Sequence, residues 1–173
     1  MTEAEWPPEQ RAMLEPAYRK GRVYNIIGTL ARHPAASRAI GQVSNHVMGP
    51  GSTLTARERE LLILRTAWLC QAEYEWAQHA LLGAKAGLSA EDIARCKRGP
   101  AAAGWSGTEA SLLRAADELH AVQCISDSTW AELAEHYEQR QLMDIVFAVG
   151  QYTLVAMALN SFATPLDAGL EGF

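Results

Sequence analysis

The stretch Arg57–His79, RERELLILRTAWLCQAEYEWAQH, decides how this chain is read. Its first half is an apolar run between charged residues. Thr55 precedes Glu58 by three positions, the spacing at which a hydroxyl and a carboxylate cap each other's backbone N–H groups, so a helix starts here. Its second half sets Glu73, Glu75 and His79 among Trp68, Tyr74 and Trp76. Two carboxylates and an imidazole in aromatic surroundings can move protons near neutral pH, because apolar neighbours shift their pKa values toward the working range.

Outward from this segment, nearly everything reads as helix. Alanine is abundant, β-branched residues are sparse, and no alternating run between turn residues suggests a hairpin. Residues near 9–32 form a first helical region with an interruption at Gly21, and Pro34 opens a helix to about Met48. Gly49–Ser52 is a loop. The central helix then runs from Thr55 to a stop at Gly87, and Ser89 caps a short helix to about Arg98. Thr108–Val122 and Ser126–Tyr137 are amphipathic, while Gln139–Phe162 is apolar on most sides. DAGLEGF reads as a frayed tail or a partner-binding arm. The expectation is one all-α domain over residues 1–173, with a core of about 23–167 and about seven or eight helices.

Composition narrows the function classes. At 173 residues with 49% apolar content the chain can bury a substantial core. A net charge of −5, with arginines and lysines scattered, argues against nucleic acid as a partner. The N-terminus MTEAEWPPEQ has no basic start and no apolar signal core. Gln151, Tyr152 and Asn160 interrupt the longest apolar run, so it reads as a buried helix and not a membrane span. Its apolar excess fits either a subunit interface or a helix wrapped by its own domain. Cys70, Cys96 and Cys124 are odd in number and unpaired in spacing, which fits a cytoplasmic protein with reduced thiols.

Spacing orders the cluster. Glu75 and His79 lie four residues apart, on one helix face, where a carboxylate can hold the imidazole tautomer. Glu60 faces within about 60° of Glu75 at ~100° per residue, but an unbroken helix separates them by ~22 Å. No glycine or proline lies between them to mark a break, so the residues alone favour a continuous helix. Other readings stay open. Glu73 and Glu75 fit an ordinary acidic face near a helix N-terminus, and Trp68 and Trp76 fit core anchors. A metal held by Glu75 and His79 lacks an HExxH or repeated ExxH pattern, and Cys70 has no cysteine two residues away to resolve an oxidised sulfur.

R-E-x-E-L-x-I-L-R at Arg57–Arg65 and E-Y-E-W-x-x-H at Glu73–His79 resemble the core motif of the carboxymuconolactone decarboxylase family, in the alkylhydroperoxidase D-like superfamily. Supporting similarity runs through N-I-x-x-T-L-A-R-H-P at Asn25–Pro34, N-H-V-M-G at Asn45–Gly49, L-L-R-A-A-D-E-L-H at Leu112–His120 and the stretch from Gly150 to Asn160. The resemblance implies an all-α fold whose central helix breaks, so that the Glu60 helix meets the one bearing Glu75 and His79 at a pocket. It also implies a homo-oligomer, a trimer or hexamer, with pockets near subunit contacts. The superfamily's peroxidases carry a Glu and then C-x-x-C-x-x-x-H, and the matching positions here are Glu60, Ala72, Glu75 and His79. With both redox cysteines replaced, dithiol peroxidase chemistry is not expected. The decarboxylase branch has a motif similar to E-H-E-x-x-x-H, with Tyr74 here in place of the first histidine. That change turns the expectation away from the lactone decarboxylase's own substrate.

The resulting expectation is a decarboxylase- or lyase-type enzyme without metal or organic cofactor, acting on a small, carboxylated or carbonyl-bearing, cyclic metabolite. His79 serves as proton donor or base, Glu75 as its partner and Glu60 as relay, while Trp68, Tyr74 and Trp76 shape the pocket. The alternatives are a non-catalytic binder on the same scaffold and a weak peroxidase working through Cys70.

Overall fold

A computed structural model describes residues 6–173, and Met1–Glu5 of the acidic N-terminus lie outside the described residues. The described residues form nine helices: α1 Pro8–Arg19, α2 Asn25–Leu30, α3 Pro34–Met48, α4 Ala56–Leu69, α5 Glu73–Lys85, α6 Ala90–Arg98, α7 Gly107–Val122, α8 Asp127–Ala134 and α9 Gln139–Ser161. No strand occurs among them, as the composition predicts. The first helical region divides at Gly21 as expected, and the count exceeds seven or eight because the central helix divides after Leu69.

Helix α4 is the axis of the fold. Thr55 and Glu58 form the capping box read from the sequence, and every residue from Glu60 to Ala67 is buried. Helices α5, α7 and α9 pack around it. A helix enclosed on all sides needs apolar residues on all sides, which is what Leu61–Leu64 supply. Arg65 is one of the buried polar residues of α4, with Glu60 and Thr66: it grips Asp117 of α7 with two nitrogens and donates to the carbonyls of Cys96 and Lys97 at the end of α6. One guanidinium thus ties three helices, a geometry a lysine cannot reproduce.

The continuous central helix expected from the residues does not form. Ala72 N–H reaches back to the Ala67 carbonyl and Gln71 N–H to that of Trp68, the paired bonds of a Schellman stop, with Gln71 at φ 51°. Glycine fills the corresponding position after α5, where Gly87 has φ 90°. Glutamine carries a conformational penalty there of about 1 kcal/mol. Its side chain offsets part of this by donating to the Trp68 carbonyl at 2.6 Å, and Asn160 of α9 donates to the Cys70 carbonyl at 2.9 Å. The turn is therefore held by tertiary bonds that no local pattern announces.

Helix α9 answers both readings of its composition. Leu142, Ile145, Val149, Tyr152, Val155 and Leu159 face the core, while Met143, Phe147, Leu154 and Met157 are 47–61% exposed on the opposite side. It is the one helix among the described residues long and apolar enough to cross a membrane, and its inner face is core packing.

The C-terminal segment is neither frayed nor free. Asp167 is buried and accepts from the Tyr74 hydroxyl, the Gln78 amide and the Asn25 backbone N–H, at 2.5, 2.6 and 2.9 Å. Asn25 in turn donates to the Pro165 and Leu166 carbonyls. The segment therefore straps α2 to α5. Phe173 closes it by packing edge-on to Trp68.

The turn at Gln71 yields a direct expectation. Gln71→Val places a β-branched residue in left-handed backbone and removes the side-chain bond to Trp68. It should cost about 1–2 kcal/mol, or roughly 2–8 °C in Tm. Gln71→Gly should match or exceed the parent, as read by thermal denaturation.

Candidate functional site

The break after Leu69 turns α5 back along α4, and this removes the separation that an unbroken helix imposes. His79 Nδ1 lies 2.7 Å from Glu60 Oε2, with both side chains buried. The i,i+4 spacing pointed to Glu75 as the partner of His79, yet no hydrogen bond joins them. Glu60 takes the Nδ1 position, and the ring nitrogen left for chemistry is Nε2. Tyr152 of α9 packs edge-on to the imidazole, ring centres 4.7 Å apart, which limits its rotation.

Glu75 is the unusual group. It is 2% exposed, and neither carboxyl oxygen has a hydrogen-bond partner. Burial raises its pKa well above 4.5, since removal from water penalises the charged form. Glu75 also lies in the first turn of α5, where the helix dipole favours negative charge. That effect is about 0.3–1 kcal/mol, whereas burying an unpaired carboxylate costs several. Burial wins, and the protonated, neutral form of Glu75 is favoured. Glu73, two residues earlier, is exposed, so of the two acidic residues in this turn only Glu75 faces inward.

Glu75 and His79 share the wall of a cavity of about 350 Å³ with Tyr74, Gln78 and Tyr152. Ile26, Leu82, Val155 and Leu159 make most of the remaining surface apolar, and Tyr24 and Ser44 complete it. The volume is at the small end of the range for small-molecule sites. The Tyr74 hydroxyl is drawn out of play by Asp167, and burial together with that carboxylate raises its pKa. The same hydroxyl accepts from the Ile26 backbone N–H, so Tyr74 joins the α2 wall to the α5 wall.

Trp68 and Trp76 do not line this cavity. Trp76 follows Glu75 by one residue and so points about 100° around the helix from it. The two indoles meet each other with ring centres 6.0 Å apart, and with Phe173 they surround the Lys97 ammonium at 5.0–5.8 Å. They pack against the C-terminal strap and α6, apart from this cavity, whereas the sequence expectation placed them on the pocket wall. Cys70 also lies outside the lining. Burial raises its thiol pKa, which disfavours a thiolate. Among the described residues no three His, Cys, Asp or Glu side chains gather as a metal-holding group.

Three wall or support residues escaped the residue-by-residue reading. Tyr152 sits inside the Gly150–Asn160 stretch that carried part of the family likeness, but an apolar helix gives no sign of which residue meets a histidine. Gln78 shares a face with Tyr74 at i,i+4, a signal that was there to be used. Asp167 lies in a segment of glycines and small residues with no local pattern, and only the folded chain reveals it.

The comparisons with known proteins agree with this architecture. The carboxymuconolactone decarboxylase family model matches residues 34–118, a span that contains Glu60, Glu75 and His79. No curated protein matches the chain in sequence. Among solved structures, an uncharacterised peroxidase-related protein with an alkylhydroperoxidase AhpD core, from Ralstonia eutropha JMP134, superposes with a TM-score of 0.83 at 20% identity, covering 97% of this chain and 90% of that one. An uncharacterised peroxidase-related protein from Silicibacter sp. TM1040 gives 0.82 at 18% identity, over 95% and 87% of the two chains. The debrominase Bmp8 in complex with 2,3,4-tribromopyrrole gives 0.76 at 10% identity, over 97% and 90%. At such identities these likenesses show the shared all-α fold. Residues 34–118 of this chain are thus similar to the carboxymuconolactone decarboxylase family, within an all-α fold shared with AhpD-like structures.

Proposed function

We propose that this protein is a cofactor-independent enzyme of lyase or isomerase type that moves a proton at a carbon beside a carbonyl group of a small metabolite. The observation that carries the proposal is Glu75: a fully buried carboxyl with two unpartnered oxygens, on the wall of a cavity it shares with His79. A substrate carbonyl oxygen placed against Glu75 receives its hydrogen bond. His79 Nε2 removes the proton from the adjacent carbon, the electron pair of that C–H bond passes into the carbonyl, and the resulting enolate oxygen is held by Glu75. Return of the proton to a different carbon completes an isomerisation. Departure of a β-leaving group with its bonding electron pair completes a lyase reaction through the same enolate; in a decarboxylation the loss of carbon dioxide itself forms the enolate, and His79 then delivers a proton to carbon. Glu60 steadies the imidazole through Nδ1 and Glu75 acts as the acid, where the sequence reading made Glu75 the partner and Glu60 the relay. The three cysteines are free, which suits a reducing cytoplasm.

The exposed stripe on α9 supports a homo-oligomer. Met143, Phe147, Leu154 and Met157 recur at intervals of four, seven and three residues along one side of the helix, the spacing of a helix–helix seam. Leu154→Glu should reduce the mass measured by light scattering to that of a monomer, with the circular dichroism of the parent. A parent that is itself monomeric contradicts the seam.

The proton-transfer reading is tested without knowing the natural substrate, by following deuterium uptake at the α-carbons of cyclohexanone in D2O. His79→Ala should lower protein-catalysed exchange about 10²–10⁴-fold. Glu75→Leu should lower it about 10²–10³-fold, and Glu75→Gln, which still donates a hydrogen bond, by less. Wild-type exchange in His79→Ala contradicts the assignment. A separate expectation concerns stability. The folded chain keeps on Glu75 a proton that the unfolded chain releases near pH 4.5, so Glu75 lowers stability progressively as pH rises from there toward its raised folded value. The Tm of Glu75→Gln minus that of the parent should therefore grow between about pH 5 and pH 8.

A further inference from the structure

We infer that the substrate of this cavity is an uncharged carbonyl compound with an apolar body, and that a carboxylate group on it would be rejected. This rests on the proton-transfer reading above and narrows it, away from decarboxylation and toward relocation of a proton or loss of a neutral leaving group.

The inference comes from the charge inventory of the wall. Among the described residues no lysine or arginine lines the cavity, while two carboxyl side chains are committed to it: Glu75 on the wall and Glu60 directly behind His79. Several cations elsewhere in the fold are engaged by other groups, and Arg22 lies over the ring of the wall residue Tyr24, 4.9 Å from its centre, without itself lining the cavity. Arg57 holds Glu109 and Asp92, Arg65 holds Asp117, Arg95 holds Asp92, and Lys97 sits among Trp68, Trp76 and Phe173. Arg59 makes itself felt at the Tyr152 hydroxyl, but it lies outside the lining and donates to the Leu54 carbonyl. A substrate carboxylate would exchange water for a wall with no fixed positive charge. The one cationic form available, a protonated His79, already faces Glu60, so pair and ligand together would carry an unbalanced charge in an apolar enclosure.

An uncharged carbonyl meets the opposite conditions. Its oxygen needs a donor, and Glu75 is a carboxyl without any partner in the protein. Its ring or chain needs apolar contact, which Ile26, Leu82, Val155 and Leu159 supply. The cavity thus holds the donor for one polar atom and hydrocarbon for the rest, and nothing that recognises a second, charged end.

Three ligands of one shape test this: cyclohexanone, 4-oxocyclohexanecarboxylate and the methyl ester of that acid, titrated by NMR in D2O near neutral pH. The ester restores the bulk of the acid without its charge. The ketone and ester are expected to bind at least about 30-fold more tightly than the carboxylate. Leu82→Lys, at a cavity-lining position 36% exposed where a lysine is accommodated, should bring the acid to parity with the ester. Equal or tighter binding of the acid by the parent protein overturns the inference, as does failure of both neutral ketones to bind. The two readings separate in the same samples. Neutral preference without α-deuterium uptake retains the charge selection and refutes proton transfer. Exchange in a tightly bound acid refutes the charge selection and retains proton transfer.

Discussion

The hydrogen bond between Glu60 and His79 depends on a single turn, the left-handed stop at Gln71. An uninterrupted helix holds these residues nearly thirty ångströms apart by rise alone, at ~1.5 Å per residue over the nineteen positions between them. The stop folds the chain so that α5 returns beside α4, and two side chains from separate turns of the sequence come within 2.7 Å. Every other feature of the site follows from that juxtaposition. Glu75 faces inward because α5 packs against both α4 and α9, and Tyr152 meets the imidazole because α9 crosses the same region.

The turn also accounts for what sequence could and could not reveal. Thr55–Glu58, Ser89–Asp92 and the glycine at position 87 announce helix ends in local chemistry, and those ends lie where the patterns place them. Gln71 announces nothing. Its left-handed conformation is sustained by its own bond to the Trp68 carbonyl and by Asn160, ninety residues away in sequence from Cys70. Resemblance to a family supplied the break that residue patterns denied. The same division holds at the site. Glu60, Glu75 and His79 were legible as titratable groups among apolar ones, but which carboxylate pairs with the imidazole is a question of direction in space. Trp68 and Trp76 were legible as large and buried, and their face of the helix turns away from the cavity. Asp167 was illegible because its meaning lies wholly in the three donors that the fold brings to it.

The two carboxyl groups illustrate how one helical scaffold separates two chemistries. Glu60 is buried against an imidazole, and Glu75 is buried against nothing that can hydrogen bond. A group with a partner steadies that partner's orientation. A group without one retains its capacity to donate for whatever enters the cavity. The distinction does not rest on residue type or depth, since both side chains are glutamates and both are 2% exposed. It rests on whether the surroundings offer a complementary atom.

An unpartnered buried carboxyl lowers stability, and a fold seeking only a packed core would place a leucine there. The neighbouring structure makes the burden bearable in a specific way. Tyr74 and Gln78 flank Glu75 on the same helix, and both are turned toward Asp167 in the C-terminal strap, so neither satisfies Glu75. The strap therefore has two consequences at once. It fixes the α2 wall of the cavity to α5, and it engages the Tyr74 hydroxyl and the Gln78 amide, two polar groups that α5 adds to the wall beside Glu75 and His79. Asp167 has no place on the cavity wall, yet it fixes the direction of two side chains that do.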